Sequence, residues 1–366
     1  MTVGVDALFA PFEIKNLRLK NRFVMSPMSR YASPGCRPNR ELADYYRRRA
    51  EADVALILTG GAAVDRPAAN NSTRLADFRP VCYPGWARCV AAVHEAGGLI
   101  GVQLWHAGGW FRTEPDYRPA PLESPSGLGA PGLRVGEPMS EECGAEIIAA
   151  FAKAAAAAKR IGFDWIELHA AHGYLLDQFF WAETNRRTDR WGGANLADRL
   201  GFVTSVIEAV RGAVGPEMVL SIRISQWKEQ DYNARLARTP DELRSWVEPL
   251  AEAGIDVFNC SQRRFWEPEF PKSRLNFAGW VKKLSNRPTI TCGSVGLDND
   301  VTTFFRGKPA RPAALDALVE RFDAGEFDLV AVGRALLADP RWVTKVRDGT
   351  YEHIRPFDKS KADVVY

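Results

Sequence analysis

The sequence predicts a (β/α)8 barrel. Eight short apolar runs alternate with amphipathic helical stretches, and four of the runs begin on one signal, a turn-prone helix end followed by an Asp. Runs that are apolar almost throughout suit parallel strands covered on both faces. Eight strand–helix units fit the length of 366 residues. A doubly wound sheet is the competing fold, but no GxGxxG follows the first strand.

Ahead of the first strand, LFAPFEIKNLRLKNR alternates apolar and polar residues about Lys15-Asn16, the pattern of a hairpin that would plug the barrel bottom. RFVMSPMS (22–29) is strand one, with NRELADYYRRRAEA as its helix. EADVALILTG, from residue 51, holds strand two, and GWARCVAAVHEAGG follows it. LIGVQLW (99–105) is strand three. Residues 107–139, rich in Pro and Gly, make a long excursion on the carboxyl face before the helix EECGAEIIAAFAKAAAAAKRIG. GFDWIELHA, from 162, is strand four; LADRLGFVTSVIEAVRG and then MVLSIRIS (218–225), strand five, come next. TPDE (239–242) opens a helix with Thr239 as N-cap, Pro240 in the first turn and Glu242 at the third position. GIDVFNCSQ from 254, PTITCGSVG (288–296) and EFDLVAVGR from 326 complete the set, with ALDALVERFDAG between the last two. No boundary for a second domain is visible.

Composition narrows the function. The chain is 46% hydrophobic and 25% charged, enough for a large core, and its net charge of +3 gives no electrostatic footprint for nucleic acid or an anionic membrane. There is no stretch of eighteen apolar residues and no basic segment leading into an apolar one at the start, so a soluble cytoplasmic protein is expected. Six dispersed cysteines without a CxxC pair argue against structural zinc and iron–sulfur clusters.

Barrel chemistry sits where strands end at the carboxyl face. Those ends supply Ser26 to Tyr31, Gly60 and Gly61, Gln103 and His106, then His169, His172 and Tyr174, and later Arg223, Gly293, Ser294, Gly333 and Arg334. Acids are scarce among them, which disfavours a metal-dependent site. Gly293-Ser294 and Gly333-Arg334, on adjacent strands, match a barrel phosphate site of backbone N–H groups plus a guanidinium.

Seven motifs in order, SPMSRY (26–31), GVQLWHAG (101–108), HAAHGYLLDQF (169–179), NRRTDRWGG (185–193), SIRIS (221–225), CGSVG (292–296) and VGRALLADPRW (332–342), resemble the old yellow enzyme family of FMN-dependent ene-reductases. The resemblance implies one non-covalent FMN in a single barrel domain over residues 1–366, with NAD(P)H as transient reductant. It places Pro27, Met28 and Ser29 beside the flavin ring with Gly61 close behind, Gln103 and Arg223 on the pyrimidine half, and Gly293, Ser294, Gly333 and Arg334 at the phosphate. His169 and His172 would hold the substrate's carbonyl oxygen, Tyr174 would protonate the carbon opposite the hydride, and Tyr31 would face the substrate. Such donors are what the chemistry needs: hydride can add to an enone β-carbon only if charge growing on the oxygen is stabilised, and a phenol can then act as general acid.

The chain departs from the family's pattern at Ser29, where Thr or Cys is usual, and at His172, where many members carry Asn; a second histidine keeps the donor count but exposes it to pH. The Arg- and aromatic-rich segment 262–276 would form a lid, a subunit contact, or a site for an anionic substrate or the nicotinamide donor. Trp105, Trp110, Trp181 and Trp227 are candidates for the cavity mouth. A small-molecule substrate is expected, with a homodimer as the candidate oligomer. A flavin-dependent amine N-demethylase or dehydrogenase on the same barrel, a non-catalytic flavin carrier and a non-flavin phosphate-binding barrel remain as alternatives.

Overall fold

The computed structural model of the chain describes residues 4–110, 117, 120–362 and 365. Eight parallel strands close on themselves: β1 (Phe23–Met25), β2 (Leu56–Leu58), β3 (Leu99–Trp105), β4 (Trp165–His172), β5 (Val219–Lys228), β6 (Val257–Ser261), β7 (Thr289–Cys292) and β8 (Leu329–Val332). Each pairs with the next, and β8 returns to β1 through Val330 opposite Phe23. All eight predicted strands are present, and β5 runs on to Lys228 because its end pairs with His172.

Around them lie α1 (Arg40–Glu51), α2 (Tyr83–Glu95), α3 (Glu141–Ile161), α4 (Gly201–Val214), α5 (Pro240–Glu252), α6 (Phe277–Ser285), α7 (Asp316–Asp323) and α8 (Trp342–Arg347). Thr239 caps α5 as expected, accepting from the Glu242 amide, while the Glu242 carboxylate accepts from the Arg238 amide. The sequence pattern leaves α6 unassigned; it is short, and Asn276 starts it by accepting from the Gly279 amide. The excursion after β3 contains a two-stranded hairpin, Leu128–Ala130 with Leu133–Arg134, and falls partly outside the described residues.

The recurring Asp has a structural use. Asp164, Asp256 and Asp328, one residue or less before β4, β6 and β8, each accept the amide of the preceding strand's first turn: Ile100 at 2.8 Å, Leu220 at 2.9 Å and Thr289 at 2.9 Å. Each carboxylate thereby satisfies a strand amide where the barrel begins. Asp53 instead pairs with Lys20 and Arg347.

Two apolar clusters form. The larger lies between barrel and helices; the smaller fills the barrel bottom with Val24, Leu58, Trp165, Val219, Val257, Ile290 and Leu329. The antiparallel hairpin Phe12–Ile14 with Leu17–Leu19 turns at Lys15, at φ 51°, and packs Phe12, Ile14, Leu17 and Leu19 onto that cluster. Lys15 then bonds the Met218 carbonyl and Asp256, which fastens the plug. Above the apolar layer the barrel interior turns polar, and that layer carries the site.

Candidate active site

Along β4 the residues alternating with buried apolar neighbours are Trp165, Glu167 and His169, and they climb the barrel axis. Glu167 stands opposite Gln103 on β3 and Ser221 on β5, and His169 opposite Arg223, which faces Asn259 on β6. The fully buried Glu167 accepts from Gln103 Nε2 at 2.9 Å, Ser221 Oγ at 3.1 Å and Asn259 Nδ2 at 2.8 Å. Burial raises its pKa, opposed by Arg223 and these donors. The carboxylate fixes two neighbours at once. With its amide nitrogen spent on Glu167, Gln103 keeps its carbonyl oxygen for a donor, and Asn259 accepts from Arg223 Nη1 at 2.9 Å.

The strand ends surround a cavity of about 230 Å³ lined by nine of the predicted residues: Pro27, Ser29, Tyr31, Gly61, Gln103, His169, His172, Tyr174 and Arg223. A second cavity of about 190 Å³ adjoins it across β6 to β8, where Met28, Gly293, Ser294, Gly333 and Arg334 lie. Pro27, His172 and Arg223 border both. Gly60 has to be glycine here, since a Cβ would sit 2.7 Å from the Met28 carbonyl oxygen. Tyr31, His172 and Ser294 hold left-handed φ values of 49°, 65° and 56°. That conformation costs a non-glycine residue on the order of 1 kcal/mol.

The two histidines meet edge to face at 5.2 Å, and Tyr174 packs edge-on against both His169, at 5.0 Å, and Trp105, at 5.3 Å. His169 Nδ1 accepts the Ala171 amide at 3.3 Å, so its Nε2 carries the hydrogen. His172 Nε2 contacts Ser261 Oγ at 2.8 Å, and its ring stacks on Trp227 at 4.4 Å. Burial, and then Arg223, hold His169 down to about 3, and burial with His169 beside it pushes His172 well below its ordinary value. Both imidazoles are neutral donors at pH 7. The expectation that pH would alter the pair is corrected by their burial.

The Tyr174 hydroxyl donates to Glu229 Oε1 at 3.2 Å, and Glu229 Oε2 accepts from Trp110 Nε1 at 3.2 Å. Beneath, Lys228 Nζ and Asp177 Oδ1 form a fully buried ion pair at 2.8 Å, while Asp177 Oδ2 accepts the Gly173 amide at 2.7 Å. This pair ties the His172–Tyr174 turn to β5. His106 is turned away: its Nε2 reaches Glu123 at 2.7 Å and its Nδ1 accepts the Gly108 amide. Trp181 is buried away from both cavities, and only Trp105, Trp110 and Trp227 of the four candidate tryptophans touch site residues. Sequence reasoning passed over Glu167, Ser261, Glu229 and the Lys228–Asp177 pair. Glu167 had a signal, a lone acid inside an apolar strand, which implies buried partners.

The donor set suits FMN. One end of the joined cavities offers a guanidinium and an amide carbonyl, complementary to a pyrimidinedione; the other offers the glycine turns and Arg334 expected for a phosphate. Among the described residues no three His, Cys, Asp or Glu side chains gather as a metal site, and no helix is long and apolar enough to cross a membrane.

Residues 7–353 match the NADH:flavin oxidoreductase / NADH oxidase family. A metal reductase of Desulforamulus reducens is 33% identical over 96% of this chain, which spans about half (50%) of that protein's length. An NADPH dehydrogenase of Bacillus subtilis is 32% identical, covering 91% of this chain and 92% of its own. Among solved structures, morphinone reductase in complex with tetrahydroNAD superposes with a TM-score of 0.79 at 26% identity, over 97% of this chain and 94% of that one. The resemblance to the larger proteins is thus as strong as that to the single-barrel ones. With barrel, cavity and relatives in agreement, the chain belongs to the NADH:flavin oxidoreductase / NADH oxidase family, the old yellow enzymes, oxidoreductases that bind FMN and draw electrons from NAD(P)H.

Proposed function

We propose that this protein is a cytoplasmic ene-reductase that uses NAD(P)H to saturate the activated C=C bond of an α,β-unsaturated carbonyl compound. The observation that carries the reading is the clustering of His169, His172 and Tyr174, ring against ring, in the lining of one cavity that Pro27, Ser29 and Gly61 also line.

FMN, held by Gln103 and Arg223 at its pyrimidine end and by Gly293, Ser294, Gly333 and Arg334 at its phosphate, would supply hydride to the β-carbon. His169 Nε2–H and the free nitrogen of His172 donate to the carbonyl oxygen as it gains charge. Because both rings are buried and neutral, they stabilise that oxygen as preorganised dipoles and do not themselves surrender a proton. The Tyr174 hydroxyl delivers a proton to the α-carbon, completing a saturated carbonyl product, and regains one from solvent at the mouth, where it touches Glu229. Neutral N–H donors suit an oxygen acceptor and offer no acceptor to the ammonium that a tertiary amine forms near pH 7, which sets the amine-dehydrogenase reading behind this one.

Anaerobic titration tests the reading. NADPH should bleach the flavin and cyclohexenone restore its colour; recolouring only by oxygen, or bleaching by N-methyl amines instead of NADPH, would sink it.

A further inference from the structure

Arg334 is the guanidinium expected at the phosphate, yet its terminal nitrogens are already engaged. Nη1 donates to Asn299 Oδ1 and the Asp300 carbonyl, both at 3.2 Å; Nη2 donates to Ser294 Oγ at 3.1 Å and to the Asn299 carbonyl. A guanidinium has five N–H hydrogens, and four are used. Only Nε–H is left for an anion, so a forked grip would break bonds that organise the loop after β7.

A second arginine borders the same cavity. Arg263, in the loop after β6, lines it beside Ser294 and Arg334. Its backbone is fastened there: Ser294 Oγ donates to the Arg263 carbonyl at 2.8 Å, Gln262 N to the Cys292 carbonyl at 3.1 Å, and Phe265 N to the Gly293 carbonyl at 3.1 Å. Gly293 permits the approach, for at φ 147° a Cβ would lie 2.6 Å from the Gln262 carbonyl oxygen. The next residue, Arg264, is occupied by Glu267 and by Asp300, with Nη2 2.8 Å from Asp300 Oδ2. Asp300 also feels the charge of Arg263, and Arg334 that of Asp298, at longer range. Arg263, by contrast, has no ion pair or side-chain hydrogen bond among the described residues, although it is only partly exposed.

We infer that Arg263 is a second phosphate-binding residue, closing over a phosphate monoester dianion from the β6 loop while Arg334 holds the β7 loop in shape. Two guanidiniums against a dianion balance its charge, which one arginine with a single uncommitted N–H does not. The segment 262–276, expected as a lid, a subunit contact or a site for an anionic substrate or the nicotinamide donor, is then in part an anion site, with the flavin's own phosphate as its occupant.

The test compares ligands that share a ring and differ in the phosphate. The full-length protein is stripped of flavin and titrated with FMN and with riboflavin, following quenching of flavin fluorescence. Arg263→Ala should weaken FMN by about 10- to 100-fold, the worth of a charge-assisted hydrogen bond, and leave riboflavin within about twofold. Arg263→Lys should recover part of the loss, and inorganic phosphate should compete with FMN less well against Arg263→Ala than against the parent. Equal losses for both flavins would mean a structural role and overturn the inference. So would unchanged FMN affinity with a raised KM for NADPH over NADH, which would assign Arg263 to the reductant. Thermal melting of the flavin-free variants checks that each is folded. None of these readouts depends on whether the enzyme reduces alkenes, so the inference can fail while the proposed reaction stands, and the reverse.

Discussion

Ser261 Oγ lies 2.8 Å from His172 Nε2, and the same oxygen accepts a hydrogen bond from Arg223 Nη2 at 3.3 Å. Since the arginine can only donate, the serine's own hydrogen is available to the imidazole, and when Nε2 takes it the His172 hydrogen sits on Nδ1. Ser261 thus links the His172 ring to Arg223 across the barrel. Ser261→Ala should weaken a phenolic ligand by about 3- to 10-fold, the worth of one hydrogen bond. Ser261→Thr should restore binding; the charge-transfer absorbance of the phenol complex measures both.

Tyr174 separates binding from turnover. Tyr174→Phe should leave phenol affinity and reduction by NADPH unchanged while slowing reoxidation by cyclohexenone about 100-fold or more, the usual contribution of a general acid. A quinone needs no proton on carbon and should reoxidise the variant at the parental rate. Stopped-flow traces with the two oxidants give the comparison.

Between pH 6 and 9 the affinity for a neutral enone analogue should show no inflection from the histidines, because His169 titrates near 3 and His172 is likewise held far down. Stability should respond differently. A histidine neutral when folded and protonated when unfolded makes the unfolded chain bind more protons below pH 6.5, so stability should fall as pH drops from 6.5 toward 3. Urea midpoints across that interval would reveal the slope, and His169→Gln should flatten it.

The Lys228–Asp177 pair should act as an all-or-none element. Lys228→Met strips the buried Asp177, which burial already pushes up to about 6, of its partner and leaves it an unpaired polar group, and should destabilise by about 3–5 kcal/mol, whereas Lys228→Met with Asp177→Leu should recover much of that loss. Differential melting of the two variants decides the point. If the single change cost less than about 1 kcal/mol, the pair would not be holding the His172–Tyr174 turn.

Much of this was written in the sequence because barrels put chemistry at strand ends, and strand ends follow from where apolar runs stop. His169, His172, Arg223 and the glycine turns could be read that way. Glu167 could not be placed from the same rule, since it lies one pleat below the end, where its value depends on what Gln103, Ser221 and Asn259 bring from other strands. Ser261 and Glu229 acquire meaning only across the barrel, through partners 89 and 55 residues away in sequence. The repeated Asp was legible as a pattern, but its target, an amide of the preceding strand, is a tertiary fact.

The hairpin at residues 12–19 stoppers one end of the barrel, and the polar layer opens only at the other. If the proposed reaction holds, donor and acceptor use one doorway and take turns at it. The steady state should follow ping-pong kinetics, with parallel double-reciprocal lines, and an excess of alkene should inhibit by competing with the nicotinamide for the same reduced or oxidised floor.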